Sequence, residues 1–362
     1  MKINFYNLKN KEHKFRRKLL SRLEKTIIKG QFIMGKEVIE LEEKLKKITG
    51  SNYCISTSSG TDALLISLMA IGVKKGDEVI SSPFTFVSTI EVIKLLGAKP
   101  VFVDINNKTF NLDENLIEKK ISKRTKAIIA VSLFGQSPDF AKINKIAKKK
   151  KIFVIEDAAQ SFGSKQRNKN SCNLSSIGCT SFFPTKTLGG YGDSGACFTN
   201  NKILAERMKE IRSHGQKKKY FYDTIGLNAR LDTLQASILI EKLKIFNKEI
   251  KLRNKVAQNY NHLIARFKKE IKSPFIEKFN YSVYSQYSIL LDKREQTIKN
   301  FKMKKIPFAI YYPKPIYYFK PYKKYKSYCP NCEYVCNKII SIPMNPYLKI
   351  SEQKKIIQNI LV

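Results

Sequence analysis

Between Ser56 and Asn200 the chain repeats one unit, a short apolar run suited to a strand followed by a segment whose apolar residues recur at helical spacing. A helix between two strands is long enough to carry the chain back over a sheet, so this alternation commits the strands to parallel pairing. The spacing predicts helices over Ala63–Gly72, Ser88–Leu96 and Phe140–Lys150. Strands are expected over Glu78–Ser81, Pro100–Asp104, Ala127–Leu133, Ile152–Glu156, Cys179–Phe183 and Gly195–Thr199. After Asp232 the pattern changes to a long amphipathic helical stretch, Leu234–Phe267, and then to a Tyr-, Pro- and Lys-rich region with strands expected around Tyr287–Leu291 and Ile310. The expectation is an α/β fold: a large domain over residues 1–246, with an N-terminal helical segment and a mostly parallel central sheet, and a smaller α+β domain over residues 247–362. No repeat of solenoid period is visible.

Size and charge narrow the function classes. The 362 residues suit about two domains. No run approaches the roughly 18 to 20 apolar residues of a membrane span, and the opening MKINFYNLKNKEHKF has no apolar stretch behind its charges, so a cytoplasmic protein without a membrane span is expected. The 68 Lys and Arg against 30 Asp and Glu leave a formal charge of +38. That excess spreads through nearly every amphipathic segment, apart from local runs such as Lys148–Lys151 and Lys217–Lys219. No specific nucleic-acid surface is expected, only a general attraction for polyanions and anionic substrates. Seven cysteines, an odd number, point to reduced thiols.

Three motifs carry chemistry. Thr57-Ser58-Ser59-Gly60-Thr61-Asp62 lies between a strand and an apolar helix. Small and hydroxylic residues there form either a phosphate cradle on free N–H groups or a simple N-cap. Val154-Ile155-Glu156-Asp157 ends an apolar strand in two carboxylates, where ligands of parallel sheets collect, so either Glu156 or Asp157 faces a ligand or caps the next helix. Ser181-Phe182-Phe183-Pro184-Thr185-Lys186 places a lysine at a strand end before a glycine-rich loop, as a desolvated Schiff-base amine requires. A phosphate anchor, an acid for a pyridine nitrogen and an amine for an aldehyde are together what pyridoxal 5′-phosphate needs from a protein.

The chain resembles the DegT/DnrJ/StrS family of nucleotide-sugar aminotransferases, with the fold-type-I pyridoxal-phosphate architecture, over essentially its full length. The resemblance rests on Gly60-Thr61-Asp62-Ala63-Leu64, Pro83-Phe84-Thr85-Phe86, Glu156-Asp157-Ala158-Ala159-Gln160-Ser161, Ser181–Lys186 and Gly226–Asp232. It is most similar to the members that aminate a UDP-linked 3-keto-2-acetamido-hexuronic acid for O-antigen and lipopolysaccharide, with L-glutamate as donor. A sister activity on C4 of a UDP-, dTDP- or GDP-linked 4-keto sugar shares every cofactor residue. A third expectation, a regulatory or polyanion-binding protein on this scaffold, rests on the charge alone.

The resemblance implies Lys186 as the Schiff-base lysine and proton carrier, and Asp157 as the partner of the pyridine nitrogen. It implies Phe86 stacked on the ring, Gln160 near the phenolic oxygen, and Gly60, Thr61 and Ser181 around the phosphate. Asn228 would reach that phosphate from a neighbouring subunit, making a homodimer with shared sites, and Arg230 beside it is a candidate for the substrate's carboxylate or diphosphate. Relatives carry His-Tyr-Pro where this chain has Tyr311-Tyr312-Pro313, so Tyr311 and Tyr312 are candidate sugar contacts. His214 receives no chemical step. Cys329, Cys332 and Cys336 have metal-like spacing without a fourth ligand, and no metal is expected.

Overall fold

The computed structural model describes residues 3–6, 8, 13–265 and 271–360. The chain opens with α1 (His13–Lys29) and α2 (Lys36–Thr49), then enters the alternating region: β1 (Tyr53–Thr57), α3 (Gly60–Ala70), β2 (Glu78–Ser81), α4 (Ser88–Leu95), β3 (Lys99–Phe102), β4 (Thr125–Val131), α5 (Phe140–Lys150) and β5 (Phe153–Asp157). Two short strands, β6 (Lys165–Gln166) and β7 (Lys169–Asn170), precede β8 (Ile177–Ser181), β9 (Gly195–Thr199) and α6 (Lys202–Arg212). A small hairpin, β10 (Gln216–Lys218) and β11 (Phe221–Tyr222), leads to the long α7 (Thr233–Ile264). The remainder holds β12 (Ile271–Lys272), β13 (Asn280–Tyr281), β14 (Tyr287–Leu291), α8 (Arg294–Met303), α9 (Pro330–Lys338), β15 (Ile339–Ile342) and α10 (Ile350–Gln358).

The central sheet runs β1-β9-β8-β5-β4-β2-β3. Only β9 is antiparallel to its neighbours, β1 and β8; the pairs β8–β5, β5–β4, β4–β2 and β2–β3 are parallel. Strand alternation sends Ile129 and Ile155 to one face, where they meet α3, α4 and α6, and Ile128 and Val154 to the other, against α5. Further along that second face α2 and α7 cover Cys54, Ala196 and Phe198. α3 is apolar on nearly every side because it is buried between the sheet and neighbouring helices.

Residue 247 lies inside α7, which runs unbroken past it. As far as Ile250 it buries Ala236, Leu239, Phe246 and Ile250 in the large core, and beyond that it buries Val256, Tyr260 and Ile264 against the small antiparallel sheet β12-β14-β15. The last two residues of the expected helix, Arg266 and Phe267, lie outside the described residues. Ile316, Tyr317, Cys332 and Val335 return to pack on the large core beside α3 and α4. The strand expected at Ile310 is reduced to a single bridge between Ala309 and Ser341. Pro307 and Pro313 flank it and supply no N–H to extend a ladder.

All seven cysteines are buried and unpaired. Cys329, Cys332 and Cys336 pack as small apolar groups in the core. Among the described residues no helix is long and apolar enough to cross a membrane, and no cluster of three metal-ligating side chains occurs.

The two carboxylates ending β5 point to opposite faces. Glu156 turns away from the cleft, where its carboxylate accepts from Ser132 Oγ (3.0 Å), Ser171 Oγ (3.0 Å) and the Cys172 N–H (2.8 Å). Burial outweighs these bonds and lifts its proton affinity to about 7. A carboxyl whose folded value is raised is best tolerated when protonated, so its contribution to stability is intact below about pH 4.5 and falls as pH rises through 7. Glu156→Gln, neutral at every pH, should therefore melt progressively higher relative to wild type as pH goes from 5 to 8. A difference in melting temperature that does not vary with pH would contradict this reading.

Candidate active site

The parallel register of β5 and β8 pairs Asp157 with Cys179, so both strands end at the same sheet edge. Lys186 follows β8 by one turn, with its N–H donating to the Phe183 carbonyl at 2.9 Å. The glycine-rich loop behind it folds tightly on this turn: the Gly190 N–H reaches the Phe182 carbonyl at 2.6 Å, and Lys242 of α7 donates to the Gly189 carbonyl. A Cβ on Gly189 would stand 2.5 Å from the Pro184 carbonyl oxygen, so only glycine allows that approach.

Asp157 is buried, with Oδ1 accepting from the Ala159 N–H (3.1 Å) and Oδ2 from Thr89 Oγ1 (2.9 Å). Burial raises its proton affinity; those two bonds and the charge of Lys186 oppose the rise. Burial also lowers the proton affinity of Lys186, and Asp157 opposes that. The two groups thus share a pocket that disfavours charge on each and attracts them to one another.

The candidate anion cradle lies at the start of α3. Ser59 caps the helix, accepting from the Asp62 N–H at 3.0 Å, while Ser58 and Ser59 donate to Asp62 Oδ2. Gly195 pairs with both Thr57 of β1 and Ser181 of β8, which draws the helix start against the end of β8. A Cβ on Gly60 would lie 2.6 Å from Ser181 Cβ. Gly60, the half-buried Thr61 and Ser181 therefore occupy one corner, with backbone N–H groups at the positive end of a helix.

The other candidates fall into two groups. Gln160 is buried; its Oε1 accepts from the Phe134 N–H (3.0 Å) and its Nε2 donates to Tyr312 Oη (3.0 Å). The Tyr311 hydroxyl meets that of Tyr6 at 3.1 Å, and a narrow cavity joins Tyr6, Arg253 and Tyr347 to Lys186. Of the two Pro83–Phe86 aromatics, Phe84 is a core residue packed edge-on against Phe110, Phe134 and Tyr312, whereas Phe86 is 57% exposed and free to cover a ligand. Asn228 and Arg230 hold each other, Arg230 Nε and Nη2 both donating to Asn228 Oδ1 at 3.1 and 2.7 Å. The Ala229 carbonyl between them accepts from the Ser58 N–H at 3.0 Å, so this pair lies beside the cradle. Among the described residues no hydrogen bond ties either to Lys186, Asp157 or Gln160. His214 is exposed in a left-handed turn.

Thr89 and Tyr6 lie outside every motif marked in the sequence, and Thr85, although inside Pro83–Phe86, receives no role there. Thr89 and Tyr6 reach the site across the fold, Thr89 contacting Asp157, 68 positions away, and Tyr6 contacting Tyr311, 305 positions away; Thr85 joins through Thr89.

The donor set fits pyridoxal phosphate: an amine of lowered proton affinity, a buried carboxylate and a cradle of N–H and hydroxyl groups at one sheet edge. The family model for DegT/DnrJ/EryC1/StrS aminotransferases matches residues 14–361. The chain is 48% identical over 352 residues to UDP-2-acetamido-2-deoxy-3-oxo-D-glucuronate aminotransferase of Pseudomonas aeruginosa, covering 97% of this chain and 98% of that protein. Its fold matches a DegT/DnrJ/EryC1/StrS aminotransferase from Brucella abortus with a TM-score of 0.95 at 37% identity, covering 99% and 98% of the two chains. It also matches NtdA of Bacillus subtilis, solved with bound cofactor PMP, with a TM-score of 0.93 at 28% identity, covering 99% and 84%. The chain belongs to the DegT/DnrJ/EryC1/StrS aminotransferase family and is a pyridoxal-phosphate-dependent enzyme.

The contact at Gly60 gives a direct structural test. Gly60→Ala must push α3 away from β8, an overpacking that costs about 1–3 kcal/mol. The cofactor-free variant should melt several degrees lower than wild type, and an unchanged melting temperature would show that the two elements are not in contact.

Proposed function

We propose that the chain transfers an amino group from L-glutamate to the 3-keto group of a UDP-2-acetamido-hexuronic acid, providing an amino sugar for bacterial O-antigen and lipopolysaccharide. The observation that carries this reading is the 48% identity, over nearly the whole of both chains, to an aminotransferase whose name specifies that 3-oxo sugar. The cytoplasm, where nucleotide sugars are made, is the compartment the reading implies.

When bound, pyridoxal phosphate supplies the aldehyde that carries nitrogen between the two substrates and the ring that draws electrons from the reacting carbon. Lys186 Nζ would hold that group and, once the donor's amine has displaced it, would serve as the base, taking the proton from Cα of the donor and returning one to C3 of the sugar. Its lowered proton affinity suits both tasks, since a lysine charged at all times is neither nucleophile nor base. Asp157 keeps a proton on the ring nitrogen by pairing with it. Gly60, Thr61 and Ser181 bind the phosphate, Phe86 covers one ring face, and Gln160, steadied by Phe134 and Tyr312, sits by the phenolic oxygen.

Asn228 and Arg230 enter the reading through a second copy of the chain. Exposed apolar side chains lie close by in the fold: Ile33, 50% exposed, bridges to Asp232, and Ile225, three residues before Asn228, is 83% exposed, an arrangement suited to burial in a homodimer. There Asn228 would reach the partner's phosphate cradle and Arg230 an anionic group of the sugar nucleotide. Tyr311, bonded to Tyr6, and Tyr312, bonded to Gln160, are the candidate sugar contacts.

Steady-state kinetics with the UDP-linked 3-keto-hexuronic acid should give parallel double-reciprocal lines and an amine at C3. Intersecting lines, or amination only of a 4-keto sugar, would contradict the proposal. Asp157→Asn should keep the cofactor but lose at least about 100-fold in kcat, the scale expected when a preorganised charge is removed. An active Asn variant would remove Asp157 from this role.

A further inference from the structure

We infer that Thr89 is a positioning residue for Asp157, and that Thr85 sets the direction of its hydroxyl, so that a two-threonine relay holds the carboxylate ionised and aimed at the ring nitrogen. The inference rests on the reading of Asp157 given above and adds to it two residues that reach the cofactor only through that side chain.

The geometry permits one arrangement of hydrogens. An ionised carboxylate only accepts, so the hydroxyl 2.9 Å from Asp157 Oδ2 must donate its single hydrogen there. Thr89 Oγ1 also lies 3.0 Å from Thr85 Oγ1, and with its own hydrogen committed it can only accept from Thr85. The chain therefore runs Thr85 to Thr89 to Asp157. Both threonines are 1% exposed, which keeps competing water from either hydroxyl. With the Ala159 N–H on Oδ1, the carboxylate is held at both oxygens and cannot rotate.

The placement comes from the turn after β2. Thr89 lies in the first turn of α4, and its N–H donates to the Phe86 carbonyl at 3.3 Å. One short segment thus carries the ring-covering Phe86 and the hydroxyl that orients Asp157. The other titratable groups that bear on Asp157 are Lys186 from the turn after β8, Cys172 and Cys179 near the neighbouring strand, and Tyr312 from the segment above the site. Lys186 is the one among them that favours the ionised carboxylate. Thr89 supplies the remaining side-chain support.

The test uses holoenzyme in four forms: wild type, Thr89→Val, Thr89→Ser and Thr85→Val. The near-isosteric valine removes the hydroxyl without opening space, and melting of each protein checks the fold. Loss of a hydrogen bond to a charged group should lower kcat of Thr89→Val about tenfold, with KM for L-glutamate changed by no more than about twofold. A less ionised Asp157 leaves the ring nitrogen less often protonated, so the pH midpoint of the bound cofactor's visible band should move upward. Thr89→Ser should restore both readouts, and Thr85→Val should show a smaller shift of the same sign. A Thr89→Val enzyme with the wild-type midpoint and kcat would overturn the inference. So would a serine variant as impaired as the valine variant, which would assign the effect to the methyl group. A wild-type protein with no visible band would instead defeat the cofactor reading, and this inference with it.

Discussion

The parallel pairing of β5 with β8 is the constraint on which the site depends. Parallel neighbours finish at one edge, so Asp157 and the Ser181–Lys186 segment emerge together although about 30 residues separate them. The antiparallel β9 completes the arrangement. By pairing with β8 on one side and β1 on the other, it brings the start of α3 to the same edge and sets Gly60 against Ser181. Asp157, Lys186 and the candidate anion cradle thus share a location because of strand order, with each side chain adding only its chemistry.

Burial then tunes that chemistry. It pushes Asp157 toward the protonated form and Lys186 toward the neutral amine, while their mutual attraction and the hydrogen bonds to Asp157 work the other way. A site balanced in this manner can hold a cationic ring nitrogen and still offer an amine able to exchange protons. Glu156, one residue earlier, is buried on the opposite face among Ser132, Ser171 and Cys172, and ties β5 to its neighbouring loops. Adjacent carboxylates acquire separate roles from the two-residue period of a strand.

Much of this was legible in the sequence. The alternation from Ser56 to Asn200 implied a mostly parallel sheet, and the spacing of the cradle, Asp157 and Lys186 implied the cofactor. What escaped detection depends on contacts between distant segments. Residue types alone leave Glu156 and Asp157 open and only the resemblance selects Asp157; the covered faces of β5 supply the physical reason the two differ. Thr89 reads as an ordinary residue at a helix start until β2 and β5 enclose it. The strand expected at Ile310 ignored the flanking prolines, and although one helix is expected over Leu234–Phe267, its service to both cores shows only in the packing. The pairing of Arg230 with Asn228 is likewise a contact that residue types alone do not specify.

The central claim is that Lys186 and Asp157 form the working pair of a pyridoxal-phosphate transaminase. It is tested most directly by the near-ultraviolet and visible spectrum of the purified protein before and after L-glutamate, beside Lys186→Ala. The account predicts a yellow band that gives way to the pyridoxamine form on addition of glutamate, and only when Lys186 is intact. A protein that binds no cofactor, or one whose bound cofactor ignores amino donors, would contradict it.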